Sequence, residues 1–239
     1  LPLQDPDAAA EELNRCVTDL GFVGALVNGF SQDQSQGDGQ DLLYYDLPQY
    51  RPFWAEVAKL DVPFYLHPRN PLPQDSRIYA GHPWLMGPTW AFAQETAVHA
   101  LRLMGSGLFD EHPSLQIVLG HMGEGIPYML WRMDHRNAWV KVPPSYPAKR
   151  KFVDYFNDNF HITTSGNFRT QTLIDAILEG GADLLDEIPP REVAAGVPAN
   201  HAARIDRFTT VRGNAVGIAF GARPSRRLQG SIHSRTPSL

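Results

Sequence analysis

The stretch LQIVLGHMGEGIPYMLWRMDHR, residues 115–136, decides how the chain is read. It opens with an apolar run, Leu115 to Leu119, of the kind that forms a short strand buried on both faces of a parallel sheet. The run breaks at Gly120. His121 follows, and Glu124 sits in a Gly-rich turn ahead of a helix-like run carrying Arg132 and Arg136. Open and closed α/β folds gather their ligands beyond the carboxyl ends of parallel strands, so this His–Glu pair marks where chemistry is expected.

The same alternation extends in both directions. VPFYLH, residues 62–67, is a second apolar strand that ends in a histidine, His67, before a rigid turn set by Pro68 and Arg69. GFVGALVN (21–28) and FHITTSG (160–166) read as two further strands. Helical patterns lie between them. One opens at Asp5-Pro6 with an N-cap and a proline at its first position. A second spaces Tyr50, Phe53, Trp54, Val57 and Leu60 helically, a third runs from Trp90 to Met104, and a capped helix is expected around Thr170 to Glu179. SQDQSQGDGQ (31–40) is expected to be a polar surface loop. Four strand–helix repeats predict a parallel sheet with right-handed crossovers, spaced as in part of a (β/α)8 barrel.

Composition narrows the function classes. A chain of 239 residues, 43% hydrophobic and 20% charged, can bury a sizeable core. Its net charge of −5 and the lack of any basic run interleaved with aromatics argue against a nucleic-acid partner. No apolar stretch reaches spanning length, so no membrane association is expected. Without a signal peptide and with a single cysteine, Cys16, the expected compartment is the reducing cytoplasm. The chain starts Leu-Pro-Leu rather than with methionine, which suggests sequence upstream. Its end is different in kind. From Leu185 onward there are 8 Arg, no Lys and 4 acidic residues, a net +4 against −9 for residues 1–184. We therefore divide the chain into 1–184 and an irregular tail, 185–239, which reads either as a disordered extension or as the product of an altered reading frame.

The candidate site residues each have a plainer reading. A lone histidine ending a strand is usually a hydrogen-bonded polar group. His67 and His121, however, end strands in consecutive repeats, so both imidazoles can face one mouth, and imidazole is the commonest protein ligand of transition metals. Two histidines remain short of the three ligands of a typical catalytic metal. Glu124 is placed to act as a general acid or base, to orient His121, or simply to sit favourably at a helix N-terminus. Arg132, two helical turns further on, is either a partner for Glu124 or an anionic substrate, or a solvated helix residue. Trp90 and Phe92 either wall a planar ligand or pack in the core.

Beyond these local signals, FYLHPRNP, GHPWLMGPTWAFAQET, LGHMGEGIPYMLWRMDHR and FHITTSGNF closely resemble the amidohydrolase-related metal-dependent decarboxylases, in particular those acting on 2,3- and 2,6-dihydroxybenzoate. The resemblance covers residues 1 to about 184. It implies an incomplete TIM-type (β/α)8 barrel with an irregular C-terminal tail, and one divalent metal (zinc, manganese or magnesium) without an organic cofactor. It also implies release of CO2 from a small aromatic carboxylic acid, and a homo-oligomer. Through it His67 becomes a metal ligand, His121 a residue beside metal and substrate, Glu124 a member of the proton relay, Arg132 its support, and Phe92 a pocket wall. Two parts of the pattern are missing. The family's first-strand Glu-x-His or His-x-His pair has no counterpart, and after GAD (181–183) the chain reads LLDEIPPREV in place of an eighth strand ending in an FSTD-like aspartate. Neither Asp183 nor Asp186 stands in that context. Lactone or amide hydrolysis, the sister chemistry of the scaffold, and a non-catalytic remnant are the alternatives.

Overall fold

The computed structural model describes residues 1–33, 41–139 and 146–180, so the tail expected at 185–239 lies outside the described residues. Helix α1 (Pro6–Thr18) starts as its sequence predicts: the Asp5 carboxylate accepts a hydrogen bond from the Ala8 N–H at 3.1 Å, and Pro6 occupies the first turn, where its missing N–H costs nothing. Strand β1 (Ala25–Asn28) follows, then β2 (Ser31–Asp33) and β3 (Asp41–Leu43), which pair antiparallel. This corrects the expected surface loop over 31–40. Its first three residues are a strand, because their partner lies downstream in a segment that local polarity does not reveal; residues 34–40 lie outside the described residues.

Helix α2 (Arg51–Leu60) ends where Asp61 adopts a left-handed conformation, φ 50°, and leads into β4 (Phe64–His67). Helices α3 (Ala91–Gly105) and α4 (Leu108–Glu111) precede β5 (Ile117–Leu119). Helix α5 (Leu130–Asn137), helix α6 (Phe152–Asn159), strand β6 (Phe160–Ile162) and helix α7 (Thr170–Gly180) complete the described elements. The strands are shorter than the apolar runs suggested. The helix after the organising turn also starts late, at Leu130, because residues 121–125 all take positive φ and a 3-10 turn fills 127–129. Helix α6 had no expected counterpart, although Phe152, Tyr155 and Phe156 mark its buried face.

Strands β1, β4, β5 and β6 form one parallel sheet in that order, half of what an eight-stranded barrel needs. Leu26 stands beside Tyr65, Tyr65 beside Val118, and Val118 beside His161; Asn28 stands beside His67. Because side chains alternate along a strand, the sheet has two distinct faces. Phe64, Leu66, Ile117, Leu119, Phe160 and Ile162 point toward the helices and join a core containing Phe53, Trp54, Leu103 and Phe109. Trp54 and Phe53 meet Phe64 edge-on at ring separations of 5.0 and 5.8 Å. Each such burial contributes about 1.5–3 kcal/mol. Leu26, Asn28, Tyr65, His67, Val118 and His161 occupy the other face, and the residues just past its carboxyl edge build the candidate site. No described helix is long and apolar enough to cross a membrane.

Candidate functional site

The centre of the site is the turn His121-Met122-Gly123-Glu124-Gly125. Its φ values are 55, 60, 76, 56 and 79°. A left-handed residue other than glycine costs roughly 1–2 kcal/mol, and this turn holds three. Tertiary contacts hold them there. The Met122 N–H donates to the Thr163 carbonyl at 2.8 Å, tying the turn to the end of β6; the Gly123 N–H donates to Gly120 O at 2.8 Å; and Met122 is buried. Backbone strain of this kind concentrates where a particular side-chain pose matters.

The turn brings together the two titratable groups that the sequence singled out. His121 Nδ1 lies 2.6 Å from Glu124 Oε1; the carboxylate side chain is 1% exposed and the imidazole 35%. The bond to Glu124 raises the proton affinity of His121 above that of an ordinary histidine, and the partial burial that opposes it does not prevail. With Nδ1 engaged, Nε2 is the ring nitrogen left for a ligand, an arrangement in which a carboxylate fixes ring orientation and strengthens the imidazole as a donor.

His67, on the neighbouring strand, ends β4 half-buried, with Nδ1 3.1 Å from the Pro68 carbonyl oxygen. A donated Nδ1–H there leaves Nε2 free as well. His67 thus ends β4, and His121 follows the end of the adjacent parallel strand β5. Among the described residues no group of three or more His, Cys, Asp or Glu side chains could hold a metal ion. These residues alone therefore do not complete a catalytic metal centre, which takes three protein ligands.

Of the readings left open for Arg132, the structure shows the exposed helix residue. Since helix begins only at Leu130, Arg132 is exposed on α5 and lines a surface depression with Asp175 and Glu179 of α7, and among the described residues it makes no ion pair with Glu124. Trp90 is 51% exposed just ahead of α3, and Phe92 is half-buried in its first turn; neither makes a ring contact with another described aromatic. His99, one of the histidines without a spacing argument, is a core residue: its Nε2 accepts the Tyr45 N–H at 3.0 Å.

Tyr65, Thr163 and Ser165 were not anticipated. A Cβ on Gly120 would lie 2.9 Å from the Tyr65 hydroxyl, 3.3 Å from Ser165 Oγ and 3.7 Å from Glu124 Oε1, so three oxygens surround a position that only glycine leaves open. Thr163 Oγ1 and Ser165 Oγ are 2.8 Å apart. A signal existed for Tyr65, which precedes His67 by two residues and so shares its face.

A parallel sheet with titratable groups beyond its carboxyl edge is the arrangement in which α/β folds gather their ligands. The Amidohydrolase family model matches residues 1–172, and the chain belongs to that family. Particular relatives are much closer. Over 183 residues the chain is 86% identical to a γ-resorcylate decarboxylase of a Rhizobium species and 80% identical to one of Rhodococcus jostii. Those matches cover 77% of this chain; it spans about half the length, 55 and 56%, of these relatives. A crystal structure of 2,6-dihydroxybenzoate decarboxylase from Rhizobium superposes with a TM-score of 0.75 at 72% identity, over 86% of this chain and 68% of that one. A dihydroxybenzoic acid decarboxylase of a Polaromonas species, with bound manganese and the inhibitor 2-nitroresorcinol, gives 0.73 at 66% identity, over 89% of this chain and 62% of that one.

Proposed function

We propose that this chain carries one wall of the active site of a metal-dependent decarboxylase that releases CO2 from a hydroxybenzoate of the 2,6-dihydroxybenzoate type, leaving a phenol. The observation that carries the reading is the 86% identity to an enzyme named for that reaction, across the residues that place His67, His121 and Glu124. His67 and His121 are the two ligands this wall contributes to a divalent ion, manganese by analogy with the Polaromonas structure. The remaining ligands come from outside the described residues.

Glu124 holds the His121 ring and, being buried, exerts its charge on that ring with little screening by water. Arg132 would favour an anionic substrate near α5, and Phe92 and Trp90 would flank the aryl ring. The reaction exchanges a carboxyl group for a proton at one ring carbon, so it needs an acid but no oxidant or organic cofactor. A homo-oligomer in the cytoplasm is the assembly and compartment that accompany this reading.

Elemental analysis of the purified chain, with His67→Ala beside it, tests the ligand assignment, and CO2 release from 2,6-dihydroxybenzoate with added Mn2+ tests the reaction. About one ion per chain, lost in the variant, together with CO2 release supports the proposal. That no three His, Cys, Asp or Glu side chains among the described residues could hold a metal favours a second reading, a non-catalytic remnant, which predicts neither metal nor turnover.

A further inference from the structure

We propose that Gly166 is a positioning residue for His121: the turn after β6 runs beside the imidazole edge, and the absence of a side chain there lets the ring keep the pose that Glu124 holds. The inference deepens the assignment of His121 above and rests on it for its functional meaning, but its geometry stands apart from any reaction.

The turn is Thr164-Ser165-Gly166-Asn167, closed by the Asn167 N–H donating to the Thr164 carbonyl at 3.0 Å. Gly166 is its third residue, with φ 71°, the position at which a type II turn calls for glycine or asparagine. The turn is fastened to the site on its other side. Ser165 Oγ bonds Thr163 Oγ1 at 2.8 Å, and the Thr163 carbonyl accepts the Met122 N–H at 2.8 Å. Both ends of the contact are therefore held. A Cβ at Gly166 would lie 2.6 Å from His121 Cδ2 and 3.3 Å from Nε2. Carbon atoms in contact sit near 3.5–4.0 Å, so the ring would have to rotate, and rotation would break the 2.6 Å bond from Nδ1 to Glu124. Glu124 thus holds the imidazole by hydrogen bonding, and Gly166 leaves open the space that its opposite edge needs.

Gly166→Asn tests this, because asparagine tolerates a left-handed backbone while still bringing a Cβ. Gly81→Asn is the control: its φ is 79°, and no atom within 4 Å would meet the added Cβ. The first readout is the ring-nitrogen NMR signature of His121 at neutral pH, assigned with His121→Ala. We expect Gly166→Asn to shift it and to remove the low-field proton shared with Glu124, while Gly81→Asn leaves both in place. The second readout is thermal stability in two backgrounds. The loss caused by Gly166→Asn should shrink to that of Gly81→Asn once His121→Ala removes the ring, and this comparison holds even if the single variant is too unstable for NMR. An unchanged His121 signature in a folded Gly166→Asn protein, or an equal stability loss in both backgrounds, would overturn the proposal. Because neither readout uses metal or substrate, a failed decarboxylation assay leaves the outcome interpretable.

Discussion

Lowering the pH should destabilise this fold through one residue, His99. Its ring is buried on α3 against Tyr44 and Tyr45, at centroid separations of 4.9 and 4.8 Å, and Nδ1 has no hydrogen-bond partner among the described residues. Burial, aided by the charge of Arg102, pushes its pKa down to about 3. The unfolded chain would take up a proton near pH 6.5. The folded state therefore binds fewer protons between those values, and stability falls as the pH drops through that window. A shift from 6.5 to about 3 withdraws roughly 2 kcal/mol at pH 5 relative to pH 7.5, and more at lower pH. Against a typical total of about 5–15 kcal/mol, that is a large loss. Urea denaturation of the wild-type chain and of His99→Gln at pH 7.5 and 5.0 measures it. Glutamine keeps an acceptor for the Tyr45 N–H but cannot titrate, so the variant should start less stable and lose about 2 kcal/mol less on acidification. The same acid loss in both proteins would refute the assignment.

Three further outcomes follow from the packing. Gly120→Ala should cost about 1–3 kcal/mol, because its Cβ meets the Tyr65 hydroxyl, and Tyr65→Phe, which deletes that oxygen, should recover part of the loss in a double-mutant cycle. Trp54→Ala should cost about 3–5 kcal/mol, read from its chemical-denaturation midpoint, since the indole is fully buried and its Nε1–H donates to Tyr45 O at 2.7 Å. Glu95 responds to pH in the opposite sense to His99. Burial raises its pKa despite the Tyr44 hydroxyl that donates to it, so the folded state holds the proton more tightly and stability falls as the pH rises through the ordinary carboxylate range. Glu95→Gln should flatten that fall, and an unchanged pH–stability curve across that range would count against it.

Much of the site could be read before any coordinates. His67 and His121 stood out because, although a lone histidine ending a strand is usually only a hydrogen-bonded polar group, two that end strands in consecutive repeats can face one mouth. Glu124 was legible as a partner for His121, but not for the reason that periodicity suggested. Five successive positive φ values bring its carboxylate to Nδ1, a conformation that a Gly-rich turn in the sequence signals without specifying. Tyr65, Ser165 and Gly166 lie on two different strand ends, and their meeting around Gly120 and His121 is set by the register of β4, β5 and β6.

By itself the sequence determined the alternation of strands and helices, the family, and the two imidazoles at the sheet edge, because hydrophobic periodicity and chain order act within a dozen residues. The tertiary structure decided which side chains touch: the left-handed turn that pairs His121 with Glu124, the antiparallel pairing of β2 with β3, the neutral burial of His99 and the glycine cradles around the site. The β2–β3 partners lie 8 to 12 positions apart, while the other features depend on contacts such as Met122 with Thr163 and Tyr45 with His99, some forty or more positions apart, whose energies no local pattern carries.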